Sequence, residues 1–245
     1  MKQKVNYIKN VNIYKNALPL WVTVLLKSIF ITFLICCTFV AIFSFIYIKT
    51  TVEGPSMFPS LNASCDYQGG MLVEGERDIV YINRFVDCNY GDIIVVKNPQ
   101  DAIEEKHVIK RLIAKGGDKV AVVESNDTFK IAVIKKDSEA IEILEEEYLI
   151  DISINSYSNL KYTNLKNREE IKTKSIETIY GKVDFIEIPE GQIFYLGDNR
   201  ANSLDCFDYG SVSHDKYVGR VDIIAKEGKQ TFSYIFLYYW HKIFG

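Results

Sequence analysis

A serine held between two prolines is the first feature of this chain that points to chemistry. Ser56 lies in the run Glu53-Gly54-Pro55-Ser56-Met57-Phe58-Pro59-Ser60-Leu61. Proline fixes φ and removes a backbone donor, so the segment reads as a stiff extended or turn-like loop and not as a helix. Such a loop can hold a side chain in one exposed position, and a serine so held is a nucleophile only with a base beside it. Two candidate bases stand close together in Lys106-His107-Val108-Ile109-Lys110-Arg111-Leu112-Ile113. If this run is a strand, its side chains alternate between faces. Lys110 then shares a face with Val108 and Leu112, and His107 shares the other with Ile109 and Arg111, so both cannot address Ser56. Burying an ammonium among apolar neighbours is costly and depresses its pKa. An unperturbed lysine is neutral in about one molecule in 2,500 at pH 7. A depression of about three units leaves a large fraction neutral and able to act as a general base. The bland alternative is a lysine snorkelling off an edge strand.

A third polar run, Gly197-Asp198-Asn199-Arg200-Ala201-Asn202-Ser203-Leu204-Asp205-Cys206-Phe207-Asp208, follows directly on the strand-like Gln192–Leu196. It offers a second hydroxyl in Ser203, carboxylates in Asp198 and Asp205, and the Arg200 guanidinium. Alone it would read as a surface turn.

The elements that must position these residues are mostly short β-like runs: Asp92–Lys97, Lys119–Val123, Phe129–Ile134 and Gln192–Leu196. Turn residues bound them at Gly91-Asp92, Asn98-Pro99, Gly116-Gly117-Asp118 and Pro189-Glu190-Gly191. The expected fold class is mainly β, an antiparallel β-rich domain. Residues 135–180 are rich in Lys, Glu, Asn and Ser and read as a variable, solvated insertion with some helix. The aromatic run Phe232–Trp240 is too short to span a bilayer as a helix; it reads either as a closing strand or as a surface resting at the lipid interface.

Upstream of Ser56, Ser28–Ile48 runs 21 residues without a charge, the length needed to cross the hydrocarbon core. Lys27 and Lys49 bracket it, Lys2, Lys4, Lys9 and Lys15 precede it, and the first acidic residue is Glu53. The positive-inside rule puts residues 1–27 in the cytoplasm, 28–48 in the plasma membrane and 51–245 outside as one extracytoplasmic domain. A cleaved secretory signal would have a shorter apolar core and a small-x-small site at its end; this span ends in Phe45-Ile46-Tyr47-Ile48-Lys49. The segment Ala17–Leu26, with Pro19 and Trp21, reads as an interfacial lead-in. With a formal net charge of −3, nucleic acid has no electrostatic claim on the chain. The five cysteines match no zinc pattern, the three histidines have no metal-ligand spacing, and no metal or cofactor is expected. One disulfide among Cys65, Cys88 and Cys206 is a possibility left open.

In order along the chain, the N-terminal anchor, GPSMFPSL, GDIIVVKNP, HVIKRLIAKGGDKV and YLGDNRANSLDCFDYG together resemble the bacterial type I signal peptidases. The resemblance implies a serine–lysine dyad on a β-rich exported domain, with Ser56 as nucleophile and Lys110 as general base. It implies that Ser203 hydrogen-bonds the lysine amine, that Asp205 helps orient the site, and that Asp198 and Arg111 brace the strands. Met57, Val108 and Ile109, beside the dyad, are expected to line the substrate pocket. Gly54 stands where Gram-negative members carry a serine that helps form the oxyanion hole, as in the Gram-positive branch. Cys206-Phe207 stands where Ser-Arg commonly follows the aspartate. The implied substrates are signal-peptide-bearing preproteins cut at small-x-small sites, with membrane lipid and the secretion translocon nearby. Rival readings are a processing peptidase for one precursor such as a pilin or coat component, a self-cleaving repressor, and an inactive membrane-tethered binding protein.

Overall fold

A computed structural model of the chain describes residues 18–99, 106–125, 128–149 and 154–226. The basic run before residue 18 and the aromatic run 232–240 lie outside the described residues. The chain divides into two compact units, 1–45 and 46–245.

The first unit is described through the helix α1, Leu20–Ile46, whose last residue falls in the second unit and which has no residue buried. Its 27 residues reach about 40 Å at the α-helical rise, longer than a hydrocarbon core of roughly 30 Å. No Gly or Pro interrupts it. Pro19 stands just before the first turn, where its missing N–H costs nothing. The hydroxyls of Thr32 and Thr38 donate to the carbonyls of Ser28 and Leu34, at 3.0 and 2.8 Å, so neither is left unsatisfied in apolar surroundings. Most of the lead-in up to Leu26 is the first turns of this same helix, because no breaker follows Pro19. The helix also stops at Ile46, two residues short of the expected span, because Tyr47 and Ile48 pair as a strand.

The second unit is built from antiparallel sheets, in agreement with the expected fold class. Its elements in order are β1 Tyr47–Thr51, β2 Tyr67–Gln68, β3 Met71–Leu72, β4 Asp78–Asn83, β5 Ile93–Lys97 and β6 His107–Lys115. There follow β7 Lys119–Ser125, β8 Thr128–Ile134, β9 Glu142–Ile143, α2 Ile154–Lys166, β10 Thr173–Thr178, β11 Gly181–Glu187 and β12 Gln192–Leu196. The last are α3 Cys206–Tyr209, β13 Val212–Ser213 and β14 Tyr217–Lys226. Seven strands form one sheet in the order β1-β4-β14-β5-β6-β12-β13, and five form a second in the order β10-β11-β7-β8-β9. Ile94, Val95 and Val96 of β5 are all buried, as expected of a strand covered on both faces. A small apolar cluster of Val52, Met57, Leu61, Val80, Ile82 and Val95 lies under the Ser56 loop. A larger one joins the second sheet to β12, α2 and α3.

The stretch 135–180 is more than a solvated insertion. It contributes the outer strands β9 and β10, and α2 buries Tyr162 and Leu165. Those two residues are three apart, one turn of one helix face, too short a stripe to stand out in so polar a sequence.

Candidate active site

The Ser56 loop is clamped at both ends. After β1, the Val52 N–H donates to the Asp78 carbonyl, and the Asn62 side-chain amide donates to the Val52 carbonyl at 2.8 Å. Asn62 takes a left-handed φ of 62°, which asparagine tolerates. Its N–H donates to the Asp78 carboxylate at 2.6 Å and its side-chain oxygen accepts from the Asp78 N–H at 2.7 Å. Between these points the Phe58 N–H donates to the Pro55 carbonyl and the Leu61 N–H to the Met57 carbonyl, so the loop is a chain of turns. Met57 and Leu61 drop into the apolar cluster beneath. The segment after β12 closes the other side: the Asn199 N–H donates to the Ser56 carbonyl at 3.0 Å, and its side-chain amide to the Pro55 carbonyl at 3.1 Å.

Lys110 reaches this loop from β6. Its Nζ lies 2.8 Å from Ser56 Oγ and donates to the Ile109 carbonyl at 3.1 Å. Lys110 is 3% exposed, which rules out the snorkelling alternative. Burial pulls its pKa down from 10.5 to about 8; the carboxylates of Asp205 and Asp198 oppose that fall, and the Lys161 charge adds to it. His107 is exposed and also lines the groove, but the contact with Ser56 Oγ is made by Lys110.

Arg111 points to the other face of β6, as alternation requires. The pairing of Leu196 with Arg111 carries Asp198, two residues on, to its guanidinium. The pair is bidentate, at 2.8 and 2.6 Å, with the Asp198 side chain fully buried. Arg111 also donates to the Gly91 carbonyl at 2.7 Å and lies 4.1 Å over the Tyr148 ring.

The segment 197–208 folds back on itself. Asp205 accepts from the Gly197 N–H at 3.0 Å and caps α3 by accepting from the Phe207 N–H at 3.2 Å. A Cβ on Gly197 would lie 2.2 Å from Ser203 Oγ and 2.6 Å from the Ser56 carbonyl, so only glycine lets these three strands of backbone meet. The expected bond between Ser203 and the lysine amine is not formed. The Lys110 ammonium is taken up by Ser56 and Ile109, while Ser203 Oγ is pressed against Gly197, buried and without a hydrogen-bond partner.

Met57, Val108 and Ile109 line an open groove of about 480 Å³ together with Ser56 and Lys110. Residues 48–52, ending β1 and leading to the loop, line it as well. Gly54 also lies on the groove, and no atom comes within 4 Å of where its Cβ would be.

Several contacts around the site had no signal in the sequence. Arg200 is buried, donates to the Gly197 carbonyl at 3.0 Å and pairs with Glu146, 54 residues away. Lys161 of α2 donates to the Ser203 carbonyl at 2.6 Å and pairs with Asp208. Each polar group alone would be an ordinary surface residue; only the fold brings them together.

Cys65, Cys88 and Cys206 are buried free thiols, so the open disulfide is not formed. Asp87, Cys88 and His214, scattered in sequence, do come together with ligand atoms within 4.8 Å of one another. Burial pushes the Cys88 thiol up to about 11.

The sequence profile of the family described as Signal peptidase, peptidase S26, matches residues 24–225. Signal peptidase I T of Bacillus subtilis (strain 168) is 28% identical over 180 residues, covering 71% of this chain and 72% of that protein. Signal peptidase I of Bacillus licheniformis is 28% identical over 193 residues, covering 78% of each. A crystal structure of a signal peptidase I from Enterococcus faecalis V583 matches with a TM-score of 0.32 at 23% identity, covering 56% of this chain and 97% of that one.

Proposed function

The chain belongs to the signal peptidase family, peptidase S26, and we propose that it cleaves signal peptides with Ser56 as nucleophile and Lys110 as general base. The observation that carries this reading is the 2.8 Å contact between Ser56 Oγ and a lysine buried well enough to be partly neutral at physiological pH. Neutral Nζ accepts the Ser56 proton as Oγ bonds to the scissile carbonyl carbon. The oxyanion is held by the Ser56 N–H and a second backbone or water donor, since Gly54 has no side-chain donor. The Lys110 ammonium then gives its proton to the leaving amine and the C–N bond breaks, leaving an ester on Ser56. Water attacks that ester, gives its proton to Nζ and regenerates the hydroxyl.

An extended preprotein segment would lie in the groove, with Met57, Val108 and Ile109 walling shallow pockets that admit small side chains and reject larger ones. This gives cleavage after a small-x-small sequence. The N-terminal helix would anchor the chain in the plasma membrane with the N-terminus cytoplasmic and residues 51–245 outside, near lipid and the translocon that delivers substrate. Asp198 with Arg111 would brace the strands, and Ser203 and Asp205 would shape the surroundings of Lys110.

The test uses detergent-solubilised protein and a secretory precursor. Ser56→Ala and Lys110→Ala should each lower cleavage by on the order of 1,000-fold or more, while His107→Ala stays within a few-fold of the parent. Cleavage that persists in Ser56→Ala overturns the nucleophile assignment. A lethal His107→Ala overturns the choice of base.

A further inference from the structure

We propose that Lys161 is a positioning residue of this active site, a buried cation from the insertion helix that fixes the Ser203 carbonyl and serves as counterion to Asp205 and Asp208. The inference rests on the assignment of Lys110 as general base.

Lys161 is 8% exposed although α2 is largely polar. A lysine is buried to that degree only when its charge is matched and its protons are used. Its Nζ donates to the Ser203 carbonyl, pairs with Asp208, and lies 3.9 Å from Asp205 Oδ1. Asp208 also accepts from the Asp205 N–H at 2.9 Å, and Arg168, just beyond α2, donates to the Asp208 carbonyl at 2.6 Å. The insertion therefore grips the segment 203–208 at several points. That segment in turn holds Gly197 through Asp205, and the Asn199 N–H and side chain tie the same stretch to the Ser56 loop.

The charges show why a cation is needed there. The groups acting on Lys110 are Asp205, Asp198, Cys206 and Lys161. Asp198 is neutralised by Arg111, and the nearby Arg200 by Glu146. Asp205 is buried, and the residues after it, Cys206 and Phe207, carry no positive charge. Burial holds the Cys206 thiol protonated. Without Lys161, the cations left to compensate Asp205 would be Arg200, already paired with Glu146, and Lys110 in the protonated form that cannot accept a proton. Lys161 both removes that demand and repels a second ammonium, in keeping with its lowering effect on Lys110.

The experiment measures kcat/KM against pH for the full-length, detergent-solubilised protein with a secretory precursor, comparing wild type, Lys161→Gln and Lys161→Arg. Lys161→Gln keeps a donor for the Ser203 carbonyl and removes the charge. Its acid limb should move up by about one pH unit, so that activity falls about tenfold at pH 7 and recovers toward wild type above the limb. Lys161→Arg should keep the wild-type limb. A uniform loss at every pH with the limb unmoved is what a purely structural role produces, and it overturns the inference. If Lys161→Gln does not fold, the double variant Lys161→Gln with Asp205→Asn removes both charges, and its limb should lie at or below the wild-type one. A limb above wild type in that double variant also overturns the inference. Wild-type cleavage that does not depend on Ser56 and Lys110 defeats instead the assignment on which the inference rests.

Discussion

Replacing Lys110 with methionine should stabilise the protein at neutral pH while abolishing cleavage. Burial holds this ammonium near a pKa of 8, against 10.5 for an ordinary lysine. That difference is a cost to folding of about 3 kcal/mol wherever the pH lies below 8. The sign follows from proton binding. Between pH 8 and 10.5 the unfolded chain binds more protons than the folded one, so stability rises with pH across that window and the cost is gone above it. Methionine has a similar unbranched shape and no charge, so it removes the cost. It also removes the bonds to Ser56 Oγ and the Ile109 carbonyl, at about 1 kcal/mol each. The variant should then be more stable than wild type by about 1 kcal/mol at pH 7, and less stable by about 2 kcal/mol near pH 10.5.

Thermal unfolding followed by circular dichroism, on full-length protein in detergent, reads this directly. For a chain of this size about 1 kcal/mol moves Tm by roughly 2–4 °C. The variant should melt a few degrees above wild type at pH 7 and several degrees below it near pH 10.5. The change of sign is the sharper reading, because packing losses from the substitution do not depend on pH. A Tm difference that stays flat from pH 7 to 10.5 refutes the claim that Lys110 is held short of its proton.

Gly197→Ala should cost about 2 kcal/mol and lower cleavage about 100-fold, because the added methyl meets the Ser56 carbonyl and the Ser203 side chain; Tm and kcat/KM check it. Gly54→Ser enters open space on the groove and should leave Tm within about 2 °C of wild type, with a hydroxyl placed to raise kcat about tenfold at unchanged KM; steady-state kinetics decides this. Arg111→Met strands the buried Asp198 carboxylate and should destabilise by about 3 kcal/mol, seen as a fall in Tm of roughly 6–12 °C, while Asp198→Asn with Arg111→Met recovers part of it.

The parts of the site legible in the sequence are those set by local geometry. Two prolines stiffen the Ser56 loop, and strand alternation alone separates Lys110 from Arg111. The register of β12 against β6, which brings Asp198 to Arg111, shifts at Phe194/Tyr195 and is not set by alternation. What stayed hidden has a physical reason in each case. Pro19 and Trp21 mark an interfacial lead-in in the sequence, yet proline is equally at home at the start of a helix. β14 escaped notice because a bulge between Val221 and Ile223 breaks its period of two, and Gly219 lets it approach the Asn83 carbonyl closely. Glu146 and Lys161 sit in a polar stretch where most charges are solvated, and their partners lie 54 and 42 residues away. No periodicity reports such a contact.

These hidden contacts bear on the chemistry more than on the fold. A lysine serves as a base only if the carboxylates around it do not hold it protonated. Asp198 is claimed by Arg111 through a bidentate pair, and Asp205 lies within ion-pair distance of Lys161. Each carboxylate that would raise the Lys110 pKa thus has a second cation, and burial is left to dominate. Both cations come from positions the fold had to recruit: Arg111 from the opposite face of the same strand, and Lys161 from an insertion with no evident connection to the site. On the proposed reading, a carboxylate free to pair with Lys110 would hold it protonated, so activation of Ser56 would depend on Arg111 and Lys161 as well as on burial.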